Sequence, residues 1–309
     1  MWSKRAKSPG VRRAPERQGL KRPPARLRLL ADRDEPLLGF LVRRGGVSEE
    51  LARAAIARGG AFVCGKRVRA PAIELHAGDR VELTLQARGV SPLGRERVLH
   101  IDDQVLAVDK PAGVAAQQDL AGGPALPDLC SALLRELGEE QTLALLVHRL
   151  DRGTTGVTVL ARTRRAQSAL LLEFRSHRVR KEYRALVSPS PRGDEGVEDS
   201  SIGSRQALTR WRVVERYAGA ALIAAFPETG RTHQIRLHLR ELGSPLLGDR
   251  ANGGAVFLTR PSGARHDFAR PMLHALSLGL RHPAGFEMSI EAALPPDFEA
   301  ARAFLRRPR

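Results

Sequence analysis

Between about residues 100 and 300 the chain is cut into short, strand-like apolar runs separated by glycine, proline and charge. Val105 to Val108, Val147 to Leu150 and Val157 to Leu160 are such runs. Few stretches have helical spacing. Ala166, Ala169, Leu170 and Phe174 recur at that spacing behind Thr163, a side chain suited to cap a helix N-terminus. Ile235, Leu239 and Leu242 mark another helix, stopped at Gly243. Residues 188–205, rich in Pro, Gly, Ser and acid, read as an exposed insertion or a long hairpin. Short strands mixed with a few helices are compatible with an α+β domain over residues 100–300.

The upstream third reads differently. Residues 1–30 carry ten basic residues against one acid, Glu16, and show no hydrophobic period, so a disordered basic tail is expected. Residues 31–87 form a small module. Leu37, Leu38, Leu41 and Val42 predict a first helix, and Leu51, Ala52, Ala55 and Ile56 a second, ended by Gly59-Gly60. A hairpin is predicted from Phe62 to Val68, turning at Cys64-Gly65-Lys66, and Val81 to Leu85 alternates as a strand. Residues 88–99, with Gly89, Pro92 and Gly94, read as a linker.

The charge narrows the function. Lys and Arg number 51 against 34 Asp and Glu, a net charge of +17 in 309 residues. That excess points to a polyanionic partner rather than a small metabolite. Only six of the 51 are lysine; coding bias can explain the choice of arginine but not the net sign. No run approaches eighteen apolar residues, so no membrane span is expected, and no apolar segment follows the basic N-terminus as a secretory signal would require. A cytoplasmic location is expected. Cys64 and Cys130 alone make neither a disulfide framework nor a cysteine zinc site.

Three polar clusters carry the chemistry. His148-Arg149-Leu150-Asp151-Arg152-Gly153-Thr154-Thr155-Gly156 lies between two apolar runs, so a loop would set Asp151 in a cleft. A carboxylate between guanidiniums stays ionised and can act as nucleophile or base, or simply form a surface ion pair. Thr229-Gly230-Arg231-Thr232-His233-Gln234-Ile235-Arg236 starts a helix and would receive an anion; Arg231 could pair bidentately with a buried carboxylate. Arg180-Lys181-Glu182-Tyr183-Arg184-Ala185 sets a tyrosine among cations, where it can stack on an unpaired base or pack on the core. His233 and His238 lack the i, i+4 spacing of a helical zinc pair, so no metal site is expected.

Together these clusters resemble the RluA-type family of RNA pseudouridine synthases. The family pattern His-Arg-Leu-Asp-x-x-Thr-Ser-Gly matches His148 to Gly156, with Thr155 where serine is usual. Lys-x-Tyr-x-Ala matches Lys181, Tyr183 and Ala185, and Gly-Arg-x-His-Gln-Ile-Arg matches Gly230 to Arg236. Lys110-Pro111-Ala112-Gly113, Leu273-His274-Ala275 and His282-Pro283 add support. The helix-helix-hairpin-strand order of residues 31–87 resembles the S4 RNA-binding domain, with Cys64 in place of the usual asparagine and the Glu49-Glu50 pair weakening its phosphate-binding face. Departures occur at Ala115 to Gln118, where His-Pro is usual, and at Gly248 to Gly253, which lacks an aromatic; they bear on substrate choice more than on chemistry.

The resemblance implies a mixed, largely antiparallel sheet with flanking helices and a central catalytic cleft. It implies isomerisation of uridine to pseudouridine in RNA without a cofactor; a monomer is expected. The substrate would be ribosomal RNA of the large subunit, with transfer RNA as the alternative. Asp151 would be the essential carboxylate, by covalent attack or by proton abstraction. Arg231 would pair with it, and Tyr183 would stack on the uracil. Arg149, Arg152 and Lys181 would contact RNA around a flipped base, and Lys66 and Arg67 would do so from the S4-like hairpin. His233 and Arg236 would be structural residues of the helix start. The competing reading is a non-catalytic RNA-binding assembly factor or chaperone that uses the same surface.

Overall fold

The computed structural model describes residues 26–57, 59–84, 93–117 and 124–306. The chain divides into two compact units, residues 1–85 and 86–309.

In the first unit β1 (Arg26–Leu30), β2 (Glu35–Pro36), α1 (Leu37–Gly45), α2 (Glu49–Ala57), β3 (Ala61–Val63), β4 (Lys66–Val68), β5 (Glu74–Leu75) and β6 (Arg80–Thr84) follow in order. The expected helices, hairpin and strand are all present. The β3–β4 turn is Cys64-Gly65, both at positive φ, the two-residue geometry that suits a right-twisted hairpin. Phe40, Leu41, Ile56 and Leu83 fill its core. One boundary needs correction. Residues 26–30 are not tail: β1 pairs antiparallel with β6 and buries Leu27. Residues 1–25 lie outside the described residues.

The second unit contains β7 (Val98–Ile101), β8 (Val105–Lys110), α3 (Leu126–Glu136), β9 (Leu145–Leu146), β10 (Thr155–Ala161), α4 (Arg164–Arg175), β11 (Arg180–Val187), β12 (Glu195–Glu198), β13 (Thr209–Tyr217), β14 (Ala220–Pro227), α5 (Gln234–Glu241), β15 (Phe257–Thr259), β16 (Arg265–Asp267), β17 (Leu273–Arg281), β18 (Glu287–Glu291) and α6 (Pro296–Arg306). Ten strands make one sheet in the order β12-β13-β14-β11-β17-β10-β8-β7, with β18 beside β17 and β9 beside β10. Its pairs are antiparallel except β10 with β17. The mixed, largely antiparallel α+β architecture is therefore observed.

The period of two along each strand divides the core. Val157, Val159 and Ala161 of β10 face Ala166 and Leu170 of α4, while Leu160 packs with Leu126, Leu133 and Leu134 of α3. Ile235 and Leu239 of α5 cover Ala185, Ile223 and Ala225, and Phe298 and Ala301 of α6 cover Leu186 and Leu222. Thr163 caps α4 as expected, its hydroxyl accepting from Ala166 N at 3.0 Å.

Two expectations need adjusting. Val147 to Leu150 is not a strand; the short strand is β9, just before it, and the chain leaves the sheet to reach the polar cluster. The linker is shorter than residues 88–99, because Leu93 is buried and Val98 begins β7. Of the two readings of residues 188–205, the hairpin is observed: β12 pairs antiparallel with β13 as an edge strand.

Where β10 meets β17, Gly156 lies at φ +111, and a Cβ there would come within 2.1 Å of Ala275 O. That close approach joins the two halves of the sheet beside Asp151. Gly156→Ala is expected to cost about 3 kcal/mol, from strain and overpacking together. Urea unfolding of the full-length protein checks this; an unchanged midpoint would contradict it.

Candidate active site

The cleft of the second unit is built on the loop between β9 and β10, which carries Asp151. Successive carbonyls of this loop are each taken. Asp151 O accepts from Thr154 N at 3.0 Å. Arg152 O accepts from Gly113 N at 2.8 Å and from Lys110 Nζ at 3.4 Å. Gly153 O accepts from Arg270 Nη1 at 3.3 Å. Lys110 is fully buried, and its ammonium also reaches Pro111 O and Val114 O, each at 3.0 Å. Burial pushes the Lys110 pKa down to about 7, with nearby Arg270 adding to the effect and Asp151 opposing it. Three carbonyl acceptors match the three donors of the charged form. Arg270 is anchored in turn by both oxygens of Asp297, at 2.7 and 2.9 Å.

The Asp151 carboxylate faces two side chains at the start of α5, His233 and Arg236. Arg236 Nη1 donates to Asp151 Oδ2 at 3.3 Å, and His233 Nε2 lies 3.7 Å from Oδ1. The other edge of the Arg236 guanidinium is held by Asp249, which is 1% exposed, at 2.7 and 2.8 Å. Asn252 Nδ2 donates to the same Asp249 at 2.8 Å. Burial alone would raise the Asp249 carboxyl, but hydrogen bonds from Arg236 and Asn252 bring it below its ordinary value. Asp249 in turn raises Arg236. The result is a carboxylate–guanidinium–carboxylate chain running from the core to the cleft.

His233 precedes α5 at φ +58, a left-handed conformation that costs a non-glycine residue about 1 kcal/mol. Gln234 pins this turn. Its Oε1 accepts from Arg231 N and Thr229 Oγ1, and its Nε2 donates to Leu208 O and Thr209 Oγ1.

The pairing expected of Arg231 therefore falls to another residue. Arg231 Nε donates to Gln206 O at 3.0 Å, and Arg236 takes the place at Asp151. The physical reason is the left-handed turn at His233, which directs Arg231 away before the helix brings Arg236 round. Arg236 and His233, read from sequence as structural, both face the carboxylate; Asp249 was visible only as a variant of a family motif.

Most of the other expected residues converge here. Asp151, Arg149, Lys181, Tyr183 and Arg231 all line a cleft of about 440 Å³, within the range of about 300–1,000 Å³ usual for small-ligand sites. Arg149 bridges to the α5 turn by donating to Thr232 Oγ1 at 2.7 Å. Lys181 Nζ donates to Thr229 O at 3.0 Å, and burial pushes its pKa down to about 8. Arg152 is exposed and does not line the cleft, although its carbonyl helps fix the loop. Lys66 and Arg67 belong to β4 of the first unit, where Arg67 lies over the Phe62 ring at 5.2 Å. Five Lys and Arg side chains and a single carboxylate line the cleft, a field suited to a phosphodiester.

A family model described as RNA pseudouridylate synthase matches residues 104–241. Ribosomal large subunit pseudouridine synthase C of Escherichia coli K12 is 32% identical over 294 residues, covering 85% of this chain and 90% of that protein. Ribosomal large subunit pseudouridine synthase D of Pseudomonas aeruginosa is 34% identical over 234 residues, covering 69% and 72%. The solved human RNA pseudouridylate synthase domain containing 4 has 25% identity and a TM-score of 0.56, covering 69% of this chain and 95% of that one. The chain belongs to the RluA-type family of RNA pseudouridine synthases, enzymes that isomerise uridine in RNA.

The cleft fixes the state of its tyrosine. Burial, with the Asp151 charge nearby, raises Tyr183 well above the usual phenol value, and burial with a hydrogen bond to Glu215 raises Tyr217 to about 12. These are the two tyrosines of the chain. The unfolded chain ionises near pH 10 while the native state stays protonated, so stability should fall as pH rises above about 10. An absorbance titration of the native protein should show no tyrosinate below about pH 11. A titration centred at the ordinary value would contradict this.

Proposed function

We propose that the protein isomerises uridine in large-subunit ribosomal RNA, with Asp151 as the reacting carboxylate. The observation that carries this reading is the Asp151 carboxylate held by Arg236 in a cationic cleft beside Tyr183. The names of the Escherichia coli and Pseudomonas aeruginosa relatives support ribosomal RNA over transfer RNA.

In the reaction the N1–C1′ bond breaks, the uracil turns, and a C5–C1′ bond forms. The C5 proton leaves and N1 gains one, so atoms and charge balance without a redox partner or group donor. The Asp151 carboxylate either attacks carbon or takes a proton from the ribose to give a glycal. In both routes it must be ionised, and Arg236 holds it by a hydrogen bond at 3.3 Å. Tyr183 is a neutral phenol whose ring can stack on the turning uracil. The base must leave its helical stack to reach Asp151, and Arg149 and Lys181 at the cleft wall, with Arg152 outside it, suit the flanking backbone. Lys66 and Arg67, on the hairpin of the first unit with its S4-like element order, would make their own contacts with RNA. The enzyme works as a monomer in the cytoplasm, where its ribosomal substrate is made.

The test uses transcripts carrying C5-tritiated uridine, because forming the C5–C1′ bond expels that hydrogen and binding alone does not. Wild type should release tritium from ribosomal transcripts and not from transfer RNA transcripts, and Asp151→Asn should release none. Release by Asp151→Asn would refute the role of the carboxylate. No release by wild type from ribosomal transcripts would favour the binding-protein reading.

A further inference from the structure

His148 opens the Asp151 cluster, yet nothing in the mechanism above uses its ring. The backbone N–H of Val159, inside β10, donates to His148 Nε2 at 2.9 Å. A donor aimed at Nε2 requires a lone pair there, so the neutral ring carries its proton on Nδ1. Phe174 stacks on the ring at 4.6 Å and 16°, which fixes its plane. Burial, with Lys181 nearby, keeps the imidazole uncharged by lowering its pKa to about 3. Among the described residues no side chain or carbonyl accepts from Nδ1, and the half-buried ring lines the same cleft as Asp151.

We propose that His148 contacts the substrate, its Nδ1–H donating to a carbonyl oxygen of the flipped pyrimidine. The proposal rests on the pseudouridine synthase reading of this cleft and names what holds the base in it. A neutral donor with a fixed proton suits a neutral acceptor better than a phosphate, which the guanidiniums of Arg149, Arg175 and Arg231 along the same cleft can take. Val159 prevents the ring from reversing its polarity, so His148 gives a hydrogen bond and cannot receive one. Uracil offers acceptors at both C2 and C4, whereas cytosine presents an amino donor at C4. Opposite the C4 oxygen, a donor that cannot become an acceptor admits uracil and leaves cytosine with two donors facing each other, the type of mismatch that discriminates most strongly. Opposite the C2 oxygen it orients the ring without distinguishing the bases.

Two measurements on the full-length protein test this. Long-range ¹H–¹⁵N correlation spectra should show the His148 proton on Nδ1, unchanged between about pH 6 and pH 8. A proton on Nε2 would overturn the proposal, because the ring could then accept. Turnover is then compared for wild type, His148→Phe and His148→Gln on ribosomal transcripts containing uridine, 2-thiouridine or 4-thiouridine. Phenylalanine keeps the stack without the donor; glutamine can accept from Val159 and still donate. On the uridine transcript, kcat/KM should fall about tenfold in His148→Phe and recover in His148→Gln. Sulfur is a poor acceptor, so one thio substitution should slow wild type more than it slows His148→Phe, and which one identifies the carbonyl. Equal sensitivity of the two enzymes to both substitutions would overturn the proposal alone. Absence of turnover by wild type on the uridine transcript would overturn the pseudouridine synthase reading and the proposal with it.

Discussion

The Asp151 carboxylate, the proposed reacting group, must be aimed into the cleft, and one guanidinium holds it there. Arg236 faces Asp151 with one nitrogen and Asp249 with two. The buried Asp249 carboxylate is stable because Arg236 and Asn252 satisfy it, and Arg236 is rigid because Asp249 holds it at two points. Removing one partner of such a buried pair typically costs about 3–5 kcal/mol. The charge chain therefore couples the integrity of the core to the geometry at the cleft.

The remainder of the second unit supplies the two ends of that chain. The ten-stranded sheet is pinned at its centre where Gly156 lets β10 run beside β17. Immediately before it, the buried Lys110 and Arg270 side chains donate to carbonyls of the Asp151 loop, so the loop is braced by side-chain donors rather than by sheet pairing. On the opposite side, Gln234 and the left-handed His233 set the pitch at which α5 begins, which decides that Arg236 reaches Asp151. Strain at His233 is accepted where the chain must turn a cation toward the carboxylate.

Much of this was legible from spacing. The α4 cap at Thr163, the α5 stop at Gly243 and the helix-helix-hairpin-strand order of the first unit depend on neighbours in sequence. Their signals are therefore local. β1 was hidden because Leu27 and Leu29 alternate within a basic stretch whose charge outweighed its period. α3 carried a readable period in Leu126, Leu129 and Leu133, but proline at 127 and the glycines before it obscured the start. Residues of the three clusters line one cleft. Which arginine of Arg231 and Arg236 meets Asp151 depends on one backbone angle at His233, which no residue count reveals. Asp249 lies 13 residues beyond Arg236 and 98 beyond Asp151, and its role appears only when the sheet brings the three together.

That Arg236 and not Arg231 holds the proposed reacting carboxylate is tested most directly by single-turnover rates of Arg236→Ala and Arg231→Ala at saturating RNA. The account predicts a fall of about 10²–10³ in the rate for Arg236→Ala, the scale of losing one electrostatic partner in an enclosed site. It predicts that Arg231→Ala keeps its maximal rate and raises only the RNA concentration needed to reach it. Equal losses of maximal rate in the two variants, or a loss confined to Arg231→Ala, would contradict the account.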